Sequence, residues 1–197
     1  MKNIKFIFIL LISIALSSCN QTKLDNSEAA GLIKKTLELP KTYREDCGWG
    51  SDISMFGAAG KLDALKEDGL ISYNIEYHGA FTDPSLYLTP TDKGKPYFMG
   101  QNSNIYMFKT NDIDFDQITG ISIDKETQIA TVRFTLKATN ISPIARSLSR
   151  KGYIKYSLDN PINGELIFKK FDNGWQLQSD QNKSSNDIVN EMLKGKE

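Results

Sequence analysis

One histidine, His78, and two cysteines, Cys19 and Cys47, bound the nucleophilic and metal chemistry open to this chain of 197 residues. A Ser/His/Asp arrangement would have to use His78, which stands beside Gly79 on a segment that reads as the end of a strand. A metal centre built on His and Cys needs several such residues at short spacing, and the sequence offers none. The run Asp112-Ile113-Asp114-Phe115-Asp116 has oxygen ligands for a loose calcium site, but its alternation reads more simply as the acidic start of a strand. Gly57-Ala58-Ala59-Gly60-Lys61-Leu62 lacks the spacing of a phosphate loop and the Ser or Thr that follows its lysine. Cys47 has only Arg44 as a nearby base, so a small buried residue describes it better than an activated thiol. No catalytic residue, metal ligand or cofactor is expected. Tyr73, Tyr77, Tyr87, Tyr97, Phe98, Tyr106 and Phe108 suggest instead a contact surface for a glycan or a protein, with strand alternation sending about half of the rings inward.

The remaining cysteine carries the strongest pattern. Lys2 and Lys5 precede an apolar run, Phe6 to Leu16, that is too short to span a bilayer, which takes about 20 apolar residues. Leu16-Ser17-Ser18-Cys19 follows at once and resembles the lipobox of bacterial lipoproteins: an aliphatic residue at −3, small residues at −2 and −1, then cysteine. The resemblance implies a signal segment over residues 1–18, with Leu16, Ser17 and Ser18 recognised by the signal peptidase. It also implies a Cys19 sulfur alkylated by a diacylglyceryl group and an amino group that takes a further acyl chain, such as palmitate; several chains together anchor durably. The plain alternative is a secretory signal with an incidental cysteine. Asn20, where an aspartate would favour the inner membrane in enteric bacteria, leaves the outer membrane as the expected destination, facing either the periplasm or the medium. Residues 19–27 read as a polar tether. A lipidated Cys19 leaves Cys47 without a partner in the chain, so stability must come from packing.

Composition is that of a globular chain: 40% hydrophobic and 24% charged residues, with 24 basic and 24 acidic groups. Loss of residues 1–18 removes Lys2 and Lys5 and no acid, leaving 22 basic and 24 acidic groups and a net charge of −2. Nucleic-acid binding draws on a surplus of cations to neutralise phosphates, and this balance supplies none.

The elements that would carry these residues divide the chain. Ser27 as cap, Glu28 in the first turn and Leu32, Ile33, Thr36 and Leu37 at helical spacing predict a helix that stops at Pro40. Asp46 to Ser51 reads as a glycine-rich loop. Phe56 to Asp68 predicts a second helix with Leu62 and Leu65 inward and Gly69 at its end. Leu70–Tyr77 and Ser85–Leu88 predict a hairpin. Leu62-Asp63-Ala64-Leu65 running to Gly69-Leu70-Ile71, followed after the hairpin by Leu88-Thr89-Pro90-Thr91-Asp92-Lys93-Gly94-Lys95, is similar to the third helix and wing of a winged-helix domain over about residues 56–98. Pro90 and Pro96 depart from that pattern, and the helix that would read DNA mixes Lys61 and Lys66 with Asp63, Glu67 and Asp68. The resemblance implies a protein-contact module rather than a DNA reader.

From Ile105 onward alternation takes over. Ile118–Ile123, Ile129–Lys137, Gly152–Leu158, Gly164–Phe171 and Trp175–Leu177 predict strands paired antiparallel, because their connections are too short for crossovers and Asn173-Gly174 marks a tight hairpin. Ser142 and Pro143 predict a short helix, and Ser185 to Gly195 a terminal one with Ile188, Val189, Met192 and Leu193 on one side. Phe168 to Leu177 resembles the last hairpin of small cystatin-like or NTF2-like lipoprotein domains, which implies a fold and no ligand. The expectation is an α+β fold with a helical, winged-helix-like part over residues 28–104 and an antiparallel sheet with a C-terminal helix over residues 105–197. Three functions compete: a membrane-anchored envelope lipoprotein that binds a protein or glycan partner without catalysis; an envelope hydrolase using carboxylates among Asp112, Asp114, Asp116 and Glu165; and a cytoplasmic winged-helix regulator. The first is the reading adopted, with the hydrolase as the alternative.

Overall fold

The computed structural model describes residues 23–49, 55–79, 82, 84–178 and 183–194. The expected signal segment, with Leu16, Ser17, Ser18 and Cys19, lies outside the described residues. The elements in chain order are α1 (Asn26–Leu37), β1 (Lys41–Gly48), α2 (Met55–Glu67), β2 (Ile71–Glu76), β3 (Ser85–Pro90), a 3-10 turn (Lys95–Tyr97), β4 (Phe98–Asn102), β5 (Ile105–Asp124), β6 (Ile129–Thr139), α3 (Pro143–Arg150), β7 (Ile162–Phe171), β8 (Gly174–Leu177) and α4 (Ser185–Lys194). The protein is a mixed α and β fold with an antiparallel, curled sheet and a terminal helix.

The sheet runs β1-β5-β6-β7-β8, and β4 joins β5 beyond the end of β6. β5 is its spine, with Ile105–Ile113 facing β1, Ile105–Phe108 facing β4 and Asp112–Asp124 facing β6. Register slips between Phe115 and Gln117 and between Ile118 and Gly120 are bulges that sharpen the local twist and curl the sheet. The β6 alternation predicts the observed faces: Ala130, Val132, Phe134 and Leu136 are buried, opposite α1 residues Ala29, Ile33 and Leu37 and α4 residues Val189 and Leu193 in one core cluster. A second cluster gathers Leu62 and Leu65 of α2, Ile71, Leu86 and Leu88 of the β2–β3 hairpin, Ile144 and Leu148 of α3, and Tyr106 and Phe108 of β5.

The local signals explain most boundaries. Ser142 caps α3 by accepting from the Ala145 N–H at 3.1 Å, with Pro143 at the first turn. α2 ends as its glycine predicts: Gly69 is left-handed at φ 67°, its N–H reaches the Lys66 carbonyl, and the Leu70 N–H reaches Leu65. The cap of α1 is Asp25 and not Ser27; its carboxylate accepts from the Glu28 N–H at 2.8 Å, and Leu24 just before it is already in the core.

Three segments differ from expectation. β1 includes residues read as loop, because pairing with β5 supplies the hydrogen bonds that its charged sequence does not advertise. β4, within the part expected to be helical, is a further short strand of the main sheet. Gly152–Leu158 is not a strand: it is an irregular return from α3 that drops Ile154 and Leu158 into the core, so its period of two records burial without a pairing partner.

Candidate binding groove

Among the described residues, those singled out for chemistry are held by separate neighbours or, for Cys47, by burial. His78 Nε2 lies 2.9 Å from the Ser85 hydroxyl across the hairpin, an exposed pair. Cys47 is fully buried, and its thiol is pushed up to about 12 chiefly by that burial, with Glu45 and Asp46 adding to the effect and Lys61 opposing it. Such a thiol stays protonated and inert.

The carboxylates do not converge. Asp112 accepts from the Thr42 hydroxyl at 2.6 Å and from Asn140 at 2.8 Å, and Lys109 pairs with it at 2.9 Å. Burial alone would raise its pKa, but the bonds from Thr42, Asn140 and Lys109 outweigh it and hold the group below its ordinary value. Asp114 accepts from the Phe115 N–H; Asp116 pairs with Thr135 at 2.9 Å and Lys137 at 3.1 Å; Glu165 pairs with Arg133 at 3.0 Å. Among the described residues no group of three His, Cys, Asp or Glu side chains is placed to hold a metal ion.

The aromatic residues scatter as well. Tyr106 and Phe108 are core, and Phe98 packs on both at ring distances of 6.4 and 5.5 Å. The Tyr106 hydroxyl pins β3 by donating to the Leu86 carbonyl and accepting from the Leu88 N–H. Only Tyr77 and Tyr87 of that set are strongly exposed, at 70% and 54%.

A concavity lies elsewhere, along β7 and α4. It is a groove of about 1080 Å³ whose lining draws on both faces of the sheet: Ile162, Leu166 and Leu177 from the buried face, Asn163, Glu165 and Ile167 from the exposed face, and Met192 from α4. β7 creates it. The strand is paired with β6 along Ile162–Lys169, whereas β8 covers only Phe168–Phe171 of its other edge.

Two hydrogen bonds fix which backbone groups face outward. The Lys170 N–H donates to the Gln128 carbonyl on the β6 side, and the Ile167 carbonyl accepts from the Gln178 N–H on the β8 side. Alternation along an antiparallel strand then turns Asn163 and Glu165, with both N–H and C=O, toward the edge on which β8 pairs, together with the Ile167 N–H. Gly164 keeps the floor open and close-packed, since a Cβ there would meet the Phe134 ring at 2.6 Å and the Met192 sulfur at 3.0 Å. The rim carries Arg133, Lys155, Lys183 and Lys194 against Glu165 and Glu191, a local excess of two positive charges on a chain with no excess overall.

Sequence reasoning did not find this groove. Its side chains are unremarkable in type, and its walls come from residues far apart in the chain. Comparison with family models, curated proteins and solved structures finds no match to the chain.

Proposed function

We propose that the chain is an envelope lipoprotein, anchored through Cys19 to the outer membrane, whose body captures a partner rather than converting a substrate. The observation that carries the anchor is the contiguity of Lys2 and Lys5, the apolar run to Leu16, and Leu16-Ser17-Ser18-Cys19. Supporting the binding role, three of the acids that a hydrolase would need, Asp112, Asp116 and Glu165, are each paired with a separate cation, and Asp114 is bonded to the Phe115 N–H, while the groove along β7 offers a contact line of mixed polarity.

We also propose that residues 56–98 reuse a winged-helix shape as a protein-contact module. Supporting this, the charged residues of α2 are engaged inside the molecule. Lys61 pairs with Glu45, Asp63 accepts from Tyr73, Lys66 lies over the Tyr73 ring, Glu67 meets Lys151, and Asp68 accepts from Arg150. A helix so committed has few cations left for phosphates.

The test is intact-mass analysis of the mature chain together with fractionation of Cys19→Ser. Added diacylglycerol on wild type and release of the variant from membranes are the expected results. An unmodified mass, or a variant that fractionates as wild type does, overturns the anchor. Crosslinking in native envelopes should return a consistent protein or glycan partner.

A further inference from the structure

We propose that a second cleft, between α3 and the base of the β2–β3 hairpin, binds a phosphate monoester that carries an apolar body. The site is separate from Cys19 and from the groove along β7, so it goes beyond the reading given above, and its failure would leave that reading standing.

The cleft measures about 580 Å³. Arg146 and Arg150, one turn apart on the same face of α3, form one wall; Asp68 and Leu70, just after α2, and Lys93, after β3, form the other. The walls are fixed to one another, because the buried Ser147 hydroxyl donates to the Ala64 carbonyl at 3.1 Å and so ties α3 to α2. All the lining residues are described, together with their chain neighbours. The undescribed residues 50–54, 80, 81 and 83 adjoin, in sequence, the start of α2 and the tip of the hairpin, the ends away from this cleft.

The lining holds three cations and one acid, an excess of two positive charges on a chain with equal numbers of each sign. Asp159, which pairs with Arg146 from outside the lining, reduces that excess to one. Much of the donor capacity is unspent. A guanidinium carries five N–H donors, yet Arg150 uses only Nη2 on Asp68 and Arg146 only Nη1 on Asp159, and their other nitrogens bond no described residue. Exposed Lys93 enters no hydrogen bond or ion pair among the described residues. Two forked guanidinium groups and an ammonium suit a group with three oxygens and about two negative charges better than a carboxylate, with two oxygens and one charge. The cleft is also larger than a bare phosphate ion fills, and Leu70 and Ile141 give it apolar surface, so the ligand has an organic body.

The probe is phenyl phosphate, titrated calorimetrically into the full chain in mild detergent at about pH 8, where the ester is a dianion. Saturable binding is expected, at least about tenfold tighter than that of inorganic phosphate, which leaves the apolar surface idle, or of phenyl sulfate, which has one charge fewer. Lys93→Gln and Arg146→Gln should each weaken it about tenfold; both side chains are exposed, so the fold does not rest on them. Lys125→Gln removes the same charge from the exposed turn between β5 and β6 and should change binding by less than about twofold. Phosphatidic acid added to the micelles distinguishes two sources of the same chemistry: displacement of phenyl phosphate identifies a lipid headgroup, and retention identifies a soluble ester. The proposal is overturned by absence of saturable binding, by equal binding of inorganic phosphate or phenyl sulfate, by unchanged binding in Lys93→Gln and Arg146→Gln, or by an equal loss in Lys125→Gln.

Discussion

Gly60 was weighed in the sequence only as part of a failed phosphate loop, and the structure gives it a different reason to exist. A Cβ at this position would stand 1.9 Å from the Tyr153 hydroxyl, so α2 and the segment after α3 meet at the point where no side chain fits. Gly60→Ala is therefore expected to destabilise the protein by about 1–3 kcal/mol through overpacking, despite the better helix propensity of alanine. Adding Tyr153→Phe should restore part of the loss in denaturant unfolding. No recovery would place the strain elsewhere.

Asp112 makes the pH dependence local. Its folded pKa lies below the unfolded value of about 3.9, so the stability it contributes is present above that pH and is lost as pH falls through the folded pKa. Asp112→Asn puts amide donors opposite Asn140 and Lys109 and should cost about 1–3 kcal/mol at neutral pH. The difference from wild type should shrink below about pH 4 when melting is followed against pH. Cys47 acts at the other end. With its folded pKa raised to about 12, its contribution is intact below the unfolded value of about 8.5 and fades as pH rises toward 12. Alkylation at pH 8 should leave Cys47 untouched in the native chain and modify it once denaturant is added; rapid native labelling would show that the thiol is accessible.

At the scale of elements, the base of the β2–β3 hairpin is clamped to the end of α2. The Thr91 hydroxyl donates to the Gly69 carbonyl at 2.7 Å, the Thr91 N–H donates to the Leu70 carbonyl, and Gly94 lies so close that a Cβ would meet that same carbonyl oxygen at 2.0 Å. Gly94→Ala should loosen the hairpin, seen as faster amide exchange over residues 71–76 and 85–90, with the α1 and β6 amides unchanged. Uniform acceleration across the chain would mean that the hairpin and the sheet open together.

Which elements could be read from the sequence follows from where their stabilisation comes from. β6, α3 and α4 declare themselves because their own residues carry the alternation, the cap or the apolar stripe that burial requires. β1 does not: Lys41-Thr42-Tyr43-Arg44-Glu45-Asp46 is polar and becomes a strand only because β5 is there to pair with it. Residues 152–158 fail in the opposite sense, carrying an alternation with no neighbouring strand to use it. The groove along β7 was invisible for the same physical reason, since its lining is assembled from residues far apart in the chain.

For the molecule as a whole, one strand joins the two clusters of apolar residues. Tyr106 and Phe108 of β5 belong to the cluster under α2, and Ile113 to the cluster under α1. Between them lies a polar crossing. The Tyr156 hydroxyl donates to Asn111 at 2.7 Å, the Ser142 N–H donates to the Thr110 carbonyl at 2.8 Å, and the Ser142 hydroxyl donates to the Lys109 carbonyl at 3.0 Å. Burial lifts the Tyr156 phenol above its ordinary pKa, partly offset by bonds with Asn111 and Thr110, and lifts Tyr43 to about 12, aided by Tyr156. The crossing is satisfied only while both sides are folded, so calorimetric and van't Hoff enthalpies of unfolding should agree, as they do for a single cooperative transition. Two resolved transitions would show that the clusters melt apart.

That continuity makes β5 a shared girder. A cut between residues 108 and 113 would deprive each half of the beam on which it rests, and neither piece could be lifted out as an independent module. Any tension applied through the N-terminal end of the chain would reach the far helix by way of this same stretch of backbone.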